Sequence, residues 1–170
     1  MSRLLAAHNH LKAQADIDRL ASHQRQAYES IINQWRFPTW LNLHGSAGAG
    51  KTYLGWVVAE SQGAHHLSTP EQLGKAAATI RPGQALVIDN ANSDSYVLRQ
   101  LLATLDLYNI RRVLIITCVS NTNILPTVNL VTPTAEDIEL VRRNLKDAGY
   151  YSRTSTQHTN LWRIIHSTLV

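Results

Sequence analysis

Short apolar runs recur along the chain, and polar or turn-forming residues bound each of them. The clearest lie in TWLNLH (39–44), QALVIDN (84–90) and RRVLIITCV (111–119), which predict strands buried on both faces. AHHLS (64–68) and TVNLV (127–131) predict two shorter strands. Because strands that are apolar throughout are typical of parallel sheets, the pattern favours a sheet covered by helices on both sides.

Helical patterns separate these strands, and they are predicted over residues 16–35, 51–62, 69–80, 93–108, 134–149 and 158–170. Ser93 and Thr134 are the expected N-caps of two of them, and Asp137 completes a capping box with Thr134. The alternation predicts the α/β class, as a three-layer α/β/α sandwich around a mainly parallel five-stranded sheet. We expect one compact domain, with an N-terminal helical segment (1–36), a core (37–149) and a short C-terminal helical segment (150–170).

Composition narrows the class of protein. With 170 residues, of which 44% are hydrophobic and 16% charged, the chain resembles an ordinary globular domain. No apolar run approaches the roughly 18 to 20 residues that span a bilayer, and the N-terminus turns polar too soon for a secretory signal. The single cysteine, Cys118, agrees with a reducing compartment, so we expect a cytoplasmic protein without a membrane partner. The net charge of +4 permits a nucleic-acid partner but is too small to require one.

The stretch NLHGSAGAGKTYL (42–54) carries the strongest chemical signal. A glycine, four residues and then Gly-Lys-Thr match the phosphate-binding loop at its required spacing, between an apolar strand and an apolar helix. Glycines let backbone N–H groups approach phosphate oxygens, and the lysine reaches the β- and γ-phosphates. The alternative is a turn that merely joins strand to helix, which the flanking elements disfavour. The predicted nucleotide-binding residues are Gly45, Ser46, Ala47, Gly48, Ala49, Gly50, Lys51, Thr52 and Tyr53.

A second acid is needed for the metal ion, and Asp89 supplies it at the carboxyl end of an apolar strand, where open α/β sheets bind ligands. Asp89 and the hydroxyl of Thr52 are the predicted Mg²⁺ ligands, although an aspartate that caps the following turn is the alternative. Lys51, Asp89 and the adjacent Asn90 form the predicted catalytic set. The expected cofactors are ATP and Mg²⁺, since no Asn-Lys-x-Asp guanine motif is present.

The order of these motifs resembles the AAA+ core of DnaA-type replication initiators and DnaA-like regulators. WLNLHGSAGAGKTYL, ALVIDN, RRVLIITCVS and VNLVTPTAEDIELVRRNL carry the resemblance between residues 38 and 148, and only the loop is highly specific. It implies a P-loop ATPase with an extra strand in the sheet between the strand that leads into the phosphate loop and the strand that ends at Asp89. It also implies a γ-phosphate sensor between Thr117 and Asn121, and it makes Arg142 and Arg143 candidates for the sensor arginine of the lid.

Three departures from that family affect the expected activity. Asn90 stands where many such ATPases place an acid that polarises water, and an amide takes up no proton at neutral pH. Asp94 is a candidate to replace that acid, although the plainer interpretation is that it is a solvated acidic residue at the start of a helix. NTNILPTVNLVTP lacks the family's arginine finger, and the lid is reduced to about twenty residues after Gly149. We therefore expect slow or partner-stimulated hydrolysis, and we expect weaker ring or filament assembly.

Two further features are ambiguous. LASHQRQAYESI resembles the adenine-reading glutamine motif of superfamily-one helicases, with Gln24 as the candidate glutamine. Arginines at positions 111, 112, 142, 143, 153 and 163 put much of the basic charge in the last third of the chain. Because no aromatic residues interleave with them, solvated helix and loop ends are favoured over a nucleic-acid surface.

Three functions fit these residues. The first is an ATP-binding, weakly hydrolysing protein that acts on DNA or on a DNA-associated complex. The second is a nucleotide-gated interaction module, in which a protein partner or a second copy of the chain supplies the missing arginine. The third is a small-molecule phosphotransferase, which the order of the motifs disfavours.

Overall fold

The computed structural model describes residues 3–77, 79–81, 83–117, 124–147, 149, 160, 161 and 164. Its helices are α1 (Arg3–Ala13), α2 (Ser22–Gln34), α3 (Lys51–Gln62), α4 (Leu73–Ala76), α5 (Ser95–Leu107) and α6 (Ala135–Asp147). Its strands are β1 (Trp40–Gly45), β2 (His65–Leu67), β3 (Leu86–Ala91), β4 (Val113–Thr117) and β5 (Thr127–Leu130). Two 3₁₀ turns, Ile17–Arg19 and Pro70–Gln72, precede α2 and α4. Within these residues no helix is long and apolar enough to cross a bilayer.

The five strands form one sheet in the order β2-β3-β4-β1-β5, and every pairing is parallel. Strand β4 lies between β1 and β3, with Leu114 beside Leu41 on one side and beside Val87 on the other. The predicted extra strand is therefore present: it is β4, which lies between β1, which leads into the loop, and β3, which carries Asp89. All carboxyl ends lie at one edge of the sheet, so the ends of β1 and β3 face the same region.

Helices cover both faces of the sheet, which confirms the three-layer α/β/α class. On one face, α2 and α3 pack over Leu43, Val87 and Ile116. On the other face, α4 and α5 pack over Ile88 and Ile115. Neighbouring residues of β3 and β4 thus point into different cores, and each strand is buried on both faces. This double burial is the reason that β3 and β4 read as continuous apolar runs.

The N-terminal region differs from the prediction of one helix over 16–35. The carboxylate of Asp16 accepts a 2.8 Å hydrogen bond from the Asp18 N–H, and Leu20 and Ala21 are extended, so α2 begins only at Ser22. Helix α1 was not predicted as a helix of its own, although it lies within the segment 1–36 that was expected to be helical. Both α1 and α2 belong to the face of the sheet that carries α3, since each contacts α3.

Two other helix boundaries also differ. The predicted helix over 69–80 is a 3₁₀ turn followed by the single turn of α4. The N-cap of α5 is Asp94 rather than Ser93, because the Asp94 carboxylate accepts hydrogen bonds from the N–H groups of Tyr96 and Val97. The predicted capping box of α6 is confirmed: the Asp137 N–H donates to Thr134 Oγ1, and the Thr134 N–H donates to Asp137 Oδ2. The predicted helix over 158–170 lies almost wholly outside the described residues.

Candidate functional site

The glycine-rich loop leaves β1 at its carboxyl end and leads directly into α3. Gly48 and Gly50 have φ values of +80° and +89°, a left-handed conformation that glycine adopts without strain. Gly50 is the residue before the helix, and α3 begins at Lys51. The loop therefore presents backbone N–H groups and a helix N-terminus at the same point, which is an arrangement that binds anions.

The ammonium group of Lys51 is folded against this loop. Its Nζ donates hydrogen bonds to the carbonyl oxygens of Gly45, at 2.6 Å, and Ser46, at 2.9 Å. Only 8% of the lysine is exposed. The positive charge is thus held inside the loop, where it is available to a phosphate group.

Asp89 lies near the end of β3, at the same sheet edge as the loop. It is 3% exposed, its carboxylate accepts a 2.8 Å hydrogen bond from the N–H of Asn90, and the Thr52 hydroxyl lies near enough to lower its pKa. Burial raises the pKa of Asp89, and these contacts and the charge of Lys51 offset only part of that effect. A divalent cation would compensate the buried charge, and hydroxyl and carboxylate oxygens suit Mg²⁺.

No group of three or more His, Cys, Asp or Glu side chains gathers as a metal site in the described part of the chain. A Mg²⁺ ion at Thr52 and Asp89 would therefore complete its coordination with phosphate oxygens and water, as this ion commonly does.

Asn90 adopts φ +53°, a conformation that asparagine tolerates better than most residues. Its side chain is exposed, and Nδ2 donates a 3.1 Å hydrogen bond to the Ser68 carbonyl beyond the end of β2. The amide is therefore anchored to the neighbouring strand end. Asp94, the suggested substitute acid, has its carboxylate engaged as the α5 cap.

The sensor candidates lie in different environments. Thr117 ends β4, is 2% exposed, and donates a 3.0 Å hydrogen bond from its hydroxyl to Asn42 Oδ1 in β1. Asn121 lies outside the described residues. On α6, Arg142 is half-buried and Arg143 is exposed, while Val141 and other residues of the helix line the cleft beside the loop. The structure does not bring the two arginines into that cleft.

The cleft lies between the loop, α1, α3 and α6, with about 880 Å³ of space including its open mouth. Tyr53 and Trp56 of α3 form an aromatic wall, and the His8 ring of α1 meets Trp56 edge-on with 4.7 Å between ring centroids. The Tyr53 hydroxyl donates a 3.2 Å hydrogen bond to the Gln14 carbonyl. The residues that line the cleft are His8, Leu11, Gln14, Arg19, Gln24, Gly48, Gly50, Thr52, Tyr53, Trp56, Val141, Asn144, Leu145 and Leu161.

Gln24 supports the loop from behind. It is 2% exposed, its Oε1 accepts a 3.1 Å hydrogen bond from the Ala21 N–H, and its Nε2 donates at 3.1 Å to the Gly50 carbonyl. A Cβ atom at Gly50 would collide with the Gln24 amide. Both ends of this amide are thus bound within the protein, so the described structure shows Gln24 positioning the loop.

Sequence reasoning missed His23, which makes a second contact with the loop. Its Nε2 lies 3.0 Å from the Ala49 carbonyl, and its Nδ1 lies 3.1 Å from Asp137 Oδ2 at the start of α6. The sequence carries no local signal for this contact, because 26 and 114 positions separate His23 from Ala49 and Asp137. The missed helix α1 likewise contributes His8, Leu11 and its C-terminal neighbour Gln14 to the cleft.

Comparison with known proteins supports the fold. No protein-family model matches the chain, and no curated protein matches it in sequence. Among solved structures, domain III of the Thermotoga maritima replication initiation protein DnaA is similar, with a TM-score of 0.64 and 14% identity over 89% of this chain and 85% of that chain. AMPPCP-bound DnaA from Aquifex aeolicus gives a TM-score of 0.52 and 15% identity, over 86% and 60%. A T. maritima RuvB variant gives 0.54 and 15%, over 79% and 55%.

These similarities confirm the predicted resemblance to DnaA-type initiators at the level of the fold. The chain spans most of the isolated DnaA domain but only 60% and 55% of the two longer chains.

Proposed function

We propose that this chain binds ATP together with Mg²⁺ through the loop from Gly45 to Thr52. The observation that carries the proposal is the convergence of three groups at one edge of the sheet. The Lys51 ammonium is held inside the loop, and the Thr52 hydroxyl lies beside the buried Asp89 carboxylate, whose pKa it lowers. A phosphate chain needs a cation, backbone donors and a metal ligand set, and all three are supplied here by chemically suitable groups.

We place the nucleoside in the cleft that adjoins the loop. Tyr53 and Trp56 offer apolar and aromatic surface to a base, and Arg19 lies at the same cleft. Since both the oxygen and the nitrogen of the Gln24 amide make hydrogen bonds within the protein, we assign base contact to Tyr53 and Trp56 and not to this glutamine, which also lines the cleft. The AMPPCP-bound DnaA of similar fold supports an adenine nucleotide.

We further propose that hydrolysis by the isolated chain is slow. Asn90 cannot take a proton from water, and its amide is anchored to Ser68. Asp94 caps α5, so this acid is not positioned by the fold for that task. A protein partner or a second copy of the chain would then supply the missing catalytic group, and a nucleotide-gated interaction module without intrinsic turnover is the alternative. Similarity in fold to a replication initiation protein supports a role on DNA or a DNA-associated complex, and the single cysteine supports the cytoplasm.

The first test measures binding of ATP and Mg²⁺ by calorimetry. Wild type should bind, and Lys51→Ala should lose most of the affinity because the buried cation is removed. Lys75→Ala removes an exposed lysine of α4 and should behave like wild type. If wild type binds no nucleotide, or if both variants bind equally well, the assignment of the loop is wrong.

The second test measures phosphate release by wild type, Asn90→Asp and Asn92→Asp. Aspartate also tolerates the left-handed conformation, so Asn90→Asp introduces a proton acceptor at little backbone cost. We expect Asn90→Asp to raise turnover several-fold, Asn90→Glu to do so if its longer reach is needed, and Asn92→Asp to leave it unchanged. Rapid turnover by wild type alone would contradict slow intrinsic hydrolysis, and phosphate transfer to a metabolite in place of water would favour the phosphotransferase.

A further inference from the structure

The amino edge of the sheet, opposite the phosphate loop, gathers arginines and exposed rings from three separate connections. Arg36 and Phe37 precede β1, Arg81 precedes β3, and Tyr108, Arg111 and Arg112 precede β4. We call these six residues the arginine edge. They are far apart in sequence, and the strand order β3-β4-β1 places their connections side by side.

Direct contacts show that the edge is continuous. The Arg112 guanidinium donates a 3.1 Å hydrogen bond to the Gly83 carbonyl, which joins the β4 side to the β3 side. The Val113 N–H donates at 3.1 Å to the Thr39 carbonyl, which joins the β4 side to the β1 side. A small cleft at this edge is lined by both Arg81 and Tyr108.

The rings of this edge are open to solvent. Phe37 is 73% exposed and Tyr108 is 46% exposed, whereas aromatic residues usually bury most of their surface. Leu107, beside Tyr108, is 80% exposed. Apolar surface of this kind costs free energy in water, so a partner that covers it would gain that free energy on binding.

The charge of the edge is positive. Four arginines lie here, against Asp106, which is ion-paired with Arg111 at 3.1 Å, and Glu60 in the last turn of α3. Exposed aromatic rings on neighbouring connections that also carry arginines suit a strand whose phosphates meet the arginines and whose bases stack on the rings. An acidic peptide would satisfy the arginines but would leave both rings without a stacking partner, and the bases of a duplex are already stacked.

We propose that the arginine edge is a binding surface for single-stranded nucleic acid. The surface is separate from the nucleotide site, since the two lie at opposite ends of the parallel strands. In the sequence no aromatic residues interleave with the arginines of the last third of the chain, which favoured a plain solvated surface, whereas the fold places the connection that carries Arg36 and Phe37 beside the connection that carries Arg111 and Arg112.

Fluorescence anisotropy of the full chain with a labelled oligothymidylate of about 15 nucleotides tests the proposal. The double variant Phe37→Ala/Tyr108→Ala should weaken binding about tenfold or more, because each ring loses a stacked base. The variant Arg36→Gln/Arg81→Gln should lower the steepness of the salt dependence by roughly 1.4 in log–log slope, at about 0.7 for each phosphate that no longer meets an arginine. All four side chains are exposed, so these changes leave the core intact.

The chain offers matched controls on α5. Tyr96 is 69% exposed at the opposite end of this helix from Tyr108, and Arg99 is exposed on the same helix. Tyr96→Ala and Arg99→Gln should bind the oligonucleotide as wild type does. Lys51→Ala should also bind it normally, so a failure of the nucleotide site and a failure of this proposal are distinguishable.

Several outcomes would overturn the proposal. One is that the chain does not bind oligothymidylate at low salt, and another is that Tyr96→Ala weakens binding as much as the double aromatic variant does. A third is that the chain binds a duplex as tightly as a single strand, with no effect of removing the two rings. The last is that it binds an oligoglutamate peptide in preference to the oligonucleotide.

Discussion

The His23 ring and the Asp137 carboxylate are in buried contact, with 3.1 Å between Nδ1 and Oδ2 and exposed fractions of 4% and 2%. The other ring nitrogen of His23 lies 3.0 Å from the Ala49 carbonyl, so both nitrogens face oxygen atoms. Asp137 also accepts a 2.8 Å hydrogen bond from the Ser22 N–H. One side chain from α2 and one from α6 thus connect the phosphate loop to the first turn of α6.

Replacing Asp137 by asparagine should destabilise the protein by about 2 kcal/mol, because it removes the buried carboxylate that accepts hydrogen bonds from the Ser22 N–H and from the N–H and hydroxyl of Thr134. The amide keeps the size of the side chain, so the loss reports charge and hydrogen bonding. Urea denaturation at neutral pH measures the free energy of unfolding. Glu136→Gln, a neighbouring exposed acid on the same helix turn, should change it by less than about 0.5 kcal/mol. Equal effects of the two variants would show that the pair contributes little.

The loss of unfolding free energy in Asp137→Asn should depend on pH. Burial alone would raise the pKa of this carboxyl, but hydrogen bonds from the Thr134 N–H and hydroxyl, and the nearby His23, hold the pKa below its ordinary value. A carboxyl whose folded pKa is lowered contributes its stability above the unfolded pKa, near 3.9, and loses it as the pH falls through the folded value. The difference between wild type and Asp137→Asn should therefore shrink between pH 5 and the acid limit, as measured by urea denaturation across that range.

Asp94 should matter for stability and not for catalysis. Its carboxylate accepts hydrogen bonds from the N–H groups of Tyr96, at 2.9 Å, and Val97, at 3.1 Å. Asp94→Ala should cost about 1 kcal/mol of unfolding free energy, whereas Asp94→Ser should retain most of the cap. Phosphate release by both variants should equal that of wild type at a temperature where both are folded. A large loss of turnover in the stable Asp94→Ser would instead assign Asp94 a part in positioning water.

Much of the fold could be predicted because the sequence signals are local. Strands β3 and β4 are apolar throughout, and the loop has a fixed spacing of glycines, lysine and threonine. The α6 cap was also predicted correctly, since Thr134 and Asp137 lie three positions apart. In each of these cases the residues that determine the structure are close together in the chain.

The remaining parts depend on distant contacts or on competing local ones. Helix α1 carries no clear apolar stripe, and its Leu11 packs against the apolar residues of α6 and Leu161. The break before α2 comes from a short polar turn at Asp16, which competes with the helical pattern that continues through it. Gln24 resembled a base-reading residue in sequence, and only the contact with Gly50 shows how its amide is used. Residues 118–123 and most of 150–170 lie outside the described structure, so the Asn121 sensor remains a prediction.

His66 should make the stability fall as the pH drops below neutrality. Burial first, then the charges of Lys12 and His65, lower the pKa of His66 to about 4, from an ordinary value near 6.5. The unfolded chain therefore takes up this proton at a higher pH than the folded chain does. The free energy of unfolding is therefore unaffected by this histidine above about pH 6.5, and it falls progressively as the pH drops from there towards 4.

Urea denaturation at pH 7.5 and pH 5 compares wild type with His66→Asn, which cannot take up the proton. The variant should show a smaller loss of unfolding free energy between the two pH values. His65→Asn changes the adjacent residue of β2 and should keep the larger part of the His66 contribution, because burial is the first cause of the lowered pKa and the His65 charge a lesser one. An unchanged pH dependence in His66→Asn would show that His66 is not the source.

Two helical glycines should respond in opposite directions to the same change. A Cβ atom at Gly55, in α3, would lie 2.6 Å from Ile116 Cδ1 and 3.4 Å from Val87 Cγ1, so a methyl group there would force the buried Ile116 side chain to move within the packed core. Gly74, in α4, has open space around its Cβ position. Gly55→Ala should destabilise the protein by about 1 to 3 kcal/mol through overpacking, whereas Gly74→Ala should stabilise it by roughly 0.5 to 1 kcal/mol. Thermal and urea denaturation of both variants measure the two signs. Because helix propensity favours alanine at both positions, a stabilising Gly55→Ala would show that the Ile116 side chain or α3 itself adjusts to the added methyl group, and that the packing of α3 on β4 is not tight at this point.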